Sequence, residues 1–293
     1  MPELPELWVY RERLEEALGG QRAGAPQLLD PFVLRTVDPP LASLEGRALT
    51  AVDRRSKYLL LEFDGGMTAA FHLMLAGRLH LKDAAKFRPH RKRTVFALPF
   101  ESAPTLEMTE AGTKRRASLH LLANRAELAK IDRGLEPFDD ALTAPRLGEL
   151  LRSRNAHVKT ALRAPDLLSG IGNAYSDEIL FAARLSPVRL TSRLTDGEIA
   201  RLHAAIRDTL THWIDRVRTA CPEGLPVQQD RWRREMAVHG KPGQPCPECG
   251  GPIARIASQD SETNYCPACQ NEGRLLADRR LSRLGIRRLP RGG

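Results

Sequence analysis

Four cysteines stand as Cys246-Pro-Glu-Cys249 and, after sixteen intervening residues, Cys266-Pro-Ala-Cys269. Two C-x-x-C knuckles at that separation can gather four thiolates around one tetrahedral ion, and the soft sulfur set selects zinc. Two disulfides are the competing reading, disfavoured in a reducing compartment. Four thiolates leave no coordination position for water, so the site reads as structural, holding one Zn2+. The remaining cysteine, Cys221, reads as a small buried apolar residue and not as a nucleophile.

A second group that could do chemistry opens the chain, MPELPELWVY. Pro5 suits the first turn of a helix and Glu6 suits the positive end of its dipole, with apolar residues following at Leu7, Val9, Leu14 and Leu18. Helix punctuation leaves Pro2 and Glu3 without a role. A third group is LLSGIGNAYSDEIL, residues 167–180. Its Gly170-Ile171-Gly172-Asn173 turn lets backbone N–H groups approach an anion, such as a nucleic-acid phosphate, and then opens a helix. Taken alone, an ordinary corner between two helices is the simpler reading.

The elements that must position these groups fall into two halves. With 293 residues, 42% hydrophobic and 28% charged, the chain is long enough for two domains and has a soluble, globular composition. No apolar run approaches the roughly 18–20 residues of a membrane span. Glu3 and Glu6 stand where a secretion signal would be basic and then apolar, so a cytoplasmic protein is expected. The net charge of +9 is uneven: residues 1–145 hold 21 Lys/Arg against 20 Asp/Glu, and residues 146–293 hold 24 against 16. Such a second half suits a polyanion, although a solvated surface rich in arginine (37 of the 45 cations) would look the same.

LTAVDRRSKYLLLEF runs into Asp64-Gly65-Gly66, a hairpin signal, and MTAAFHLMLAGRLHL, TVFALPF, TLEMTE and SLHLL continue as short apolar runs between turn residues. This half predicts a β-sandwich or barrel behind an N-terminal helix. KFRPHRKR, residues 86–93, reads as a solvated basic loop between strands. From Pro145 the period is helical, and the long segment TDGEIARLHAAIRDTLTHWIDRVRTA begins at a Thr195 or Asp196 cap. Beyond Cys269 lie 24 residues with seven Arg against two acids, and a helix over Leu275–Leu284 is expected within them.

The ordered motifs MPELPE, RRSKYLLLE, HLMLAGRL, GIGNAYSDEILF and VHGKPGQPCPECG with NYCPACQ resemble the formamidopyrimidine-DNA glycosylase/endonuclease VIII (Fpg/Nei) family over residues 1 to 270. The resemblance implies a bifunctional DNA glycosylase and AP lyase of base excision repair, which removes oxidised or ring-opened bases. It implies an α+β, two-domain fold: an N-terminal β-sandwich, then a helical domain with a helix–two-turn–helix motif and a four-cysteine zinc ribbon. The expected domains are 1–140, the catalytic sandwich; 145–240, the helical DNA-binding domain; 241–272, the zinc ribbon; and 273–293, a basic tail. The implied partner is double-stranded DNA with a damaged base or abasic site, in a cleft between the domains with the lesion flipped out. The protein is expected to be a monomer in the cytoplasm, associated with the nucleoid.

The resemblance gives Pro2 and Glu3 their role. Once Met1 is removed, Pro2 presents a secondary amine, and an α-amino group with pKa of about 7.7–8.0 is partly neutral at physiological pH. Its attack on C1′ expels the base and leaves a cationic iminium that permits β- and then δ-elimination. By resemblance Glu3 protonates the ribose ring oxygen and Glu6 supports the site. Lys57 is the family's strand lysine, beside a DNA phosphate or donating a proton to the lesion. Gly172 and Asn173 are expected at the phosphates flanking the lesion, and Lys159 near the backbone. Leu75 would fill the vacated stack, with Met74 its neighbour in an alternative alignment, and Arg115 would face the opposite base.

The pattern also has gaps. Ala117 stands where Fpg has an aromatic wedge, which puts opposite-base discrimination in doubt. Ser261 stands where Fpg and Nei have an arginine five residues before the third cysteine, so a phosphate contact is lost unless Arg255 or a tail arginine supplies it. ACPEGLPVQQDRWRREMAVHG is shorter than the family's lesion-capping loop, which argues for broader, Nei-like substrates. A DNA-binding or damage-recognition descendant with weakened catalysis is the alternative these gaps favour. A zinc-ribbon RNA-binding factor would account for the charge but not for the opening residues.

Overall fold

The computed structural model describes residues 1–112, 114–132, 134–257 and 261–276, in two compact units. The first comprises Met1–Arg133 and Trp213–Gln229; the second comprises Gly134–His212 and the described residues from Asp230 on.

The first unit opens with helix α1 (Leu4–Leu18), whose Leu7, Tyr10, Leu14 and Leu18 form one fully buried stripe at helical spacing. Eight strands follow: β1 (Gln27–Leu28), β2 (Leu49–Arg55), β3 (Tyr58–Phe63), β4 (Thr68–His72), β5 (Gly77–Lys82), β6 (Thr94–Leu98), β7 (Thr105–Glu110) and β8 (Ser118–Leu122). They form two four-stranded antiparallel sheets, ordered β1-β6-β7-β5 and β2-β3-β4-β8. A sandwich, not a barrel, is therefore the architecture of this half. Phe71 of β4 meets Phe96 of β6 with ring centroids 5.7 Å apart, joining the two sheets inside one apolar core.

The run Leu59-Leu60-Leu61 departs from the alternation of a half-exposed strand for a clear reason. Leu59 and Leu61 enter the main core, while Leu60 packs with Ala70, Leu122 and Leu128 in a smaller cluster on the other face. The expected hairpin at Asp64–Gly66 joins β3 to β4, paired Leu59 to Phe71 and Leu61 to Ala69. The segment MTAAFHLMLAGRLHL does not form one strand. It divides into β4 and β5, which lie in different sheets, and residues 73–76 turn between them.

The second unit carries α2 (Ala144–Arg152), α3 (Val158–Leu162), α4 (Asn173–Ala182), the long α5 (Asp196–Ala220), the short α6 (Asp230–Arg233), the hairpin of β9 (Ala254–Ala257) with β10 (Glu262–Tyr265), and α7 (Pro267–Gln270). Residues of α5 through His212 belong to this unit and those from Trp213 to the first. Thr195 is the cap of α5: its hydroxyl accepts from Glu198 N–H at 3.2 Å and its own N–H donates to the Glu198 carboxylate at 2.8 Å. Phe181, Val238, Cys246, Ile253 and Cys266 form a small core that seats the cysteine knuckles on α4. Among the described residues no helix is long and apolar enough to cross a membrane. The helix expected over 275–284 falls, from residue 277 on, outside the described residues.

Candidate functional site

In the first unit, the opening residues are held by a reciprocal cap. Glu3 N–H donates to the Glu6 carboxylate at 2.8 Å, and the Glu3 side chain accepts from the Glu6 backbone. Pro2, Glu3 and Glu6 are all buried, so two carboxylates lie within one helical turn of Pro2, in a place where water does little to screen them. Pro5 in the first turn supplies the helical φ and needs no N–H partner there.

Lys57 sits in the tight turn between β2 and β3, next to Ser56 at φ +55°. The turn is braced by Arg54, whose Nη1 donates to the Ser56 carbonyl at 2.9 Å and whose guanidinium lies 5.6 Å from the Trp8 ring centroid on α1. That stacking ties the Lys57 turn to the helix that begins at Glu3. Sequence reasoning did not single out Arg54 or Trp8; a cationic residue two before a strained turn was the only local sign.

His72, at the end of β4, faces Tyr58 edge-on at 4.8 Å and accepts a hydrogen bond from Met74 N–H on Nδ1 at 3.2 Å. Burial, with the charges of Lys57 and His120 adding to it, pushes His72 down to about 4. A neutral ring is what the Met74 N–H requires. Met74 has φ +49°, and the turn it makes leaves Leu75 69% exposed. Gly77 closes this turn where a side chain cannot go: a Cβ there would lie 2.4 Å from the Leu73 carbonyl oxygen.

Arg115 pairs with Asp30 at 2.6 Å and donates to the Lys92 carbonyl at 2.7 Å. Ala117 is buried, with its N–H and that of Arg116 held by the buried carboxylate of Glu110 at 3.1 and 2.9 Å. The position that carries an aromatic wedge in the resemblance is thus part of the core here.

In the second unit, Gly170 at φ +84° and extended Gly172 deliver the chain into α4, as the turn motif predicted. Asn173 Nδ2 donates to the Glu262 carbonyl at 2.9 Å. Lys159 is buried, bonded to Asp177 at 2.6 Å and to the same Glu262 carbonyl at 3.1 Å. It fastens the start of β10 to α4. Asp177 also bonds His239 Nδ1 at 2.8 Å, and its neighbour Glu178 accepts three N–H bonds, from Ala237, Val238 and His239, at 2.8–2.9 Å. Burial pushes the Glu178 carboxyl up, and those three N–H groups pull against it. The acids of the SDE motif therefore anchor the segment entering the zinc ribbon, a role that sequence reasoning missed because their partners lie some sixty residues away. Arg255, across the hairpin, faces Glu262 at 3.9 Å.

The four cysteine Sγ atoms lie within 4.8 Å of one another, with Cys249–Cys266 at 3.4 Å and Cys246–Cys269 at 3.9 Å. A tetrahedral ion with bonds of about 2.3 Å needs sulfur separations of about 3.8 Å. The four thiols are unpaired as disulfides and fit that geometry. The knuckle turns are made by Gly250 N–H to the Cys246 carbonyl and Cys246 N–H to the Gly251 carbonyl.

Comparison with known proteins agrees along the chain. The formamidopyrimidine-DNA glycosylase N-terminal domain matches residues 1–117, the H2TH domain of the same glycosylase matches 133–221, and the zinc finger found in FPG and IleRS matches 243–271. The formamidopyrimidine-DNA glycosylase of Symbiobacterium thermophilum is 34% identical over 292 residues, covering 96% of this chain and 93% of that protein. This chain belongs to the formamidopyrimidine-DNA glycosylase family.

Among solved structures, the MutM (Fpg) protein of Thermus thermophilus superposes with a TM-score of 0.79 at 33% identity, covering 93% of this chain and all of that one. The Lactococcus lactis Fpg in complex with abasic-site DNA superposes at 0.81 with 26% identity, covering 92% and 99%. In this chain Ala117 is buried and the Ser261 hydroxyl lies 3.5 Å from Arg163 Nη1.

Two outcomes follow from this geometry. Asp177→Asn takes the paired carboxylate away from buried Lys159 and should cost roughly 3–5 kcal/mol. Amide exchange across Glu262–Tyr265 should accelerate in that variant; unchanged protection would show that the pair does not hold the hairpin. The second concerns pH. The folded His72 ring stays neutral while the unfolded chain takes a proton below its ordinary value near 6.5. Stability from this group is therefore intact above that pH, declines as pH falls toward about 4, and levels off below. Urea midpoints of the protein and His72→Gln at pH 7.5, 5.5 and 4.5 should differ in slope by this contribution.

Proposed function

We propose that this protein is a DNA glycosylase of base excision repair that removes oxidised or ring-opened bases and cleaves the resulting abasic site, with Pro2 as the nucleophile. The observation that carries the reading is the opening turn: Pro2 enters a capped helix flanked by the buried carboxylates of Glu3 and Glu6, in a chain that matches glycosylases of this family along almost its whole length.

Removal of Met1 turns the Pro2 nitrogen from an amide into a secondary amine. The amine lone pair forms the N–C1′ bond as the C1′–base bond breaks and its electrons leave with the base, which takes up the proton that the nitrogen gives up. Glu3 donates its proton to O4′ as the C1′–O4′ bond opens, and the nitrogen becomes an iminium. The positive nitrogen draws electrons from C2′, whose proton is lost as the C3′–O bond breaks. Lys57 stands beside the lesion or its phosphate, Leu75 fills the vacated stack, and Gly172, Asn173, Arg115 and Arg255 contact DNA around the damage. Lys159 acts from beneath, by holding the hairpin.

The tetrathiolate binds one structural Zn2+, whose coordination shell the four cysteines complete. The partner is double-stranded DNA containing a damaged base or abasic site, and the protein works as a monomer in the cytoplasm at the nucleoid. The reading divides the chain into a catalytic sandwich, 1–140, a helical DNA-binding domain, 145–240, the zinc ribbon, 241–272, and a basic tail, 273–293. Buried Ala117 and the replacement at Ser261 favour the second reading, a damage-binding protein with weakened catalysis.

Borohydride reduction in the presence of abasic-site duplex separates the two. The processed protein should form a covalent adduct, Pro2→Gly should give far less, and protein retaining Met1 should give none; equal yields in all three would remove Pro2 from the mechanism. With no aromatic wedge at Ala117 and a short loop before the ribbon, abasic-site cleavage should outpace 8-oxoguanine excision in single-turnover assays. The opposite ranking would show that neither feature sets the substrate.

A further inference from the structure

The start of β10 gathers several cations, and their partners distinguish them. Lys159 is neutralised by buried Asp177, and Arg255 faces the carboxylate of Glu262. Arg163, the C-cap of α3, has its Nη1 3.5 Å from the Ser261 hydroxyl and, among the described residues, forms no ion pair with a carboxylate. It is half-buried, so its stem is fixed while its fork reaches the hairpin.

One charge beside Ser261 opposes an anion, the Glu262 carboxylate, and Arg255 faces it at 3.9 Å. The residue after Ser261 is Glu262, whose carbonyl is held by Asn173, the first residue of α4. Adjacent residues are about 3.8 Å apart, so the guanidinium reaches the chain one residue from the carbonyl that holds the Asn173 side chain. A planar fork with parallel N–H donors matches the two non-bridging oxygens of a phosphodiester better than an ammonium does. Serine at 261 also leaves space: an arginine there would bring a second guanidinium against Arg163.

We propose that Arg163, delivered by α3 to the Ser261 end of the hairpin, is the guanidinium that binds a DNA phosphodiester here, where position 261 itself carries a serine. The inference rests on the glycosylase reading for its ligand, but its residue is assigned by position and charge. It transfers the task of position 261 from the ribbon to the helical part of the same unit.

The test uses the full-length, zinc-loaded protein and a duplex carrying a tetrahydrofuran abasic analogue, with Kd measured across a series of KCl concentrations. Arg163→Gln should weaken binding about tenfold and lower the salt slope by about 0.9, the contribution of one phosphate. Arg163→Lys should keep the slope and lose part of the affinity. Arg163→Gln combined with Ser261→Arg should regain both. Arg146→Gln, which removes an exposed cation paired with Glu149, should change Kd less than twofold. If Arg163→Gln loses zinc or melts early, Arg163→Lys and the rescue by Ser261→Arg decide the matter. Wild-type binding with an unaltered Kd and slope in Arg163→Gln overturns this inference and leaves the glycosylase reading standing. An equal loss in Arg146→Gln overturns it as well. Wild-type protein that fails to bind the duplex overturns both.

Discussion

A lysine ammonium and an aspartate carboxylate, sealed from water 2.6 Å apart, decide where the zinc hairpin can lie. Removing two charges from water costs several kcal/mol each, and the loss is offset only when the remaining hydrogen-bonding capacity is filled. Here it is. Lys159 has the Glu262 carbonyl as a second acceptor, and Asp177 has His239 on its other oxygen. The pair therefore joins α3, α4, the strand β10 and the entry to the ribbon at one point. Glu178 adds a second fastening through three backbone N–H groups, and a shared apolar core under the cysteines adds a third. A bound metal would fix the knuckles relative to each other, whereas these buried acids fix them relative to the helix whose N-terminus carries Gly172 and Asn173.

The first unit solves a related problem at its opening turn. A nucleophile on a frayed end would have no fixed aim, and chain ends are ordinarily loose. The reciprocal Glu3–Glu6 cap, the apolar stripe of α1 and the Arg54–Trp8 stacking remove that freedom. The Arg54–Trp8 stacking links the opening residues to the Lys57 turn through side chains that do no chemistry themselves.

What could be read from the sequence was what is local. C-x-x-C spacing, the strand runs with turn residues between them, the Gly-x-Gly-Asn entry to a helix and the Thr195 cap all concern residues a few positions apart, and each appears in the fold. Leu59-Leu60-Leu61 was legible as a strand but not as one buried on both faces, because the second face depends on Leu128, far along the chain. Lys159 was placed by resemblance at the DNA, and its burial against Asp177 could not be foreseen from spacing. Arg115 has its partner 85 residues away in Asp30, and Arg163 approaches Ser261 across 98. Pairings of that range follow from tertiary packing, which no periodicity reports.

The tetrathiolate carries a liability of its own. Three of its sulfurs belong to residues that are buried or half-buried, but Cys249 lies at the surface. Peroxide reaching that thiolate would convert a ligand into a sulfenic acid, which condenses readily with a neighbouring sulfur, and Cys266 is 3.4 Å away. Ion release and collapse of the ribbon would follow together. A protein whose proposed lesions are made by oxidants would then be disarmed by the same agents, unless cellular reductants restore the thiols.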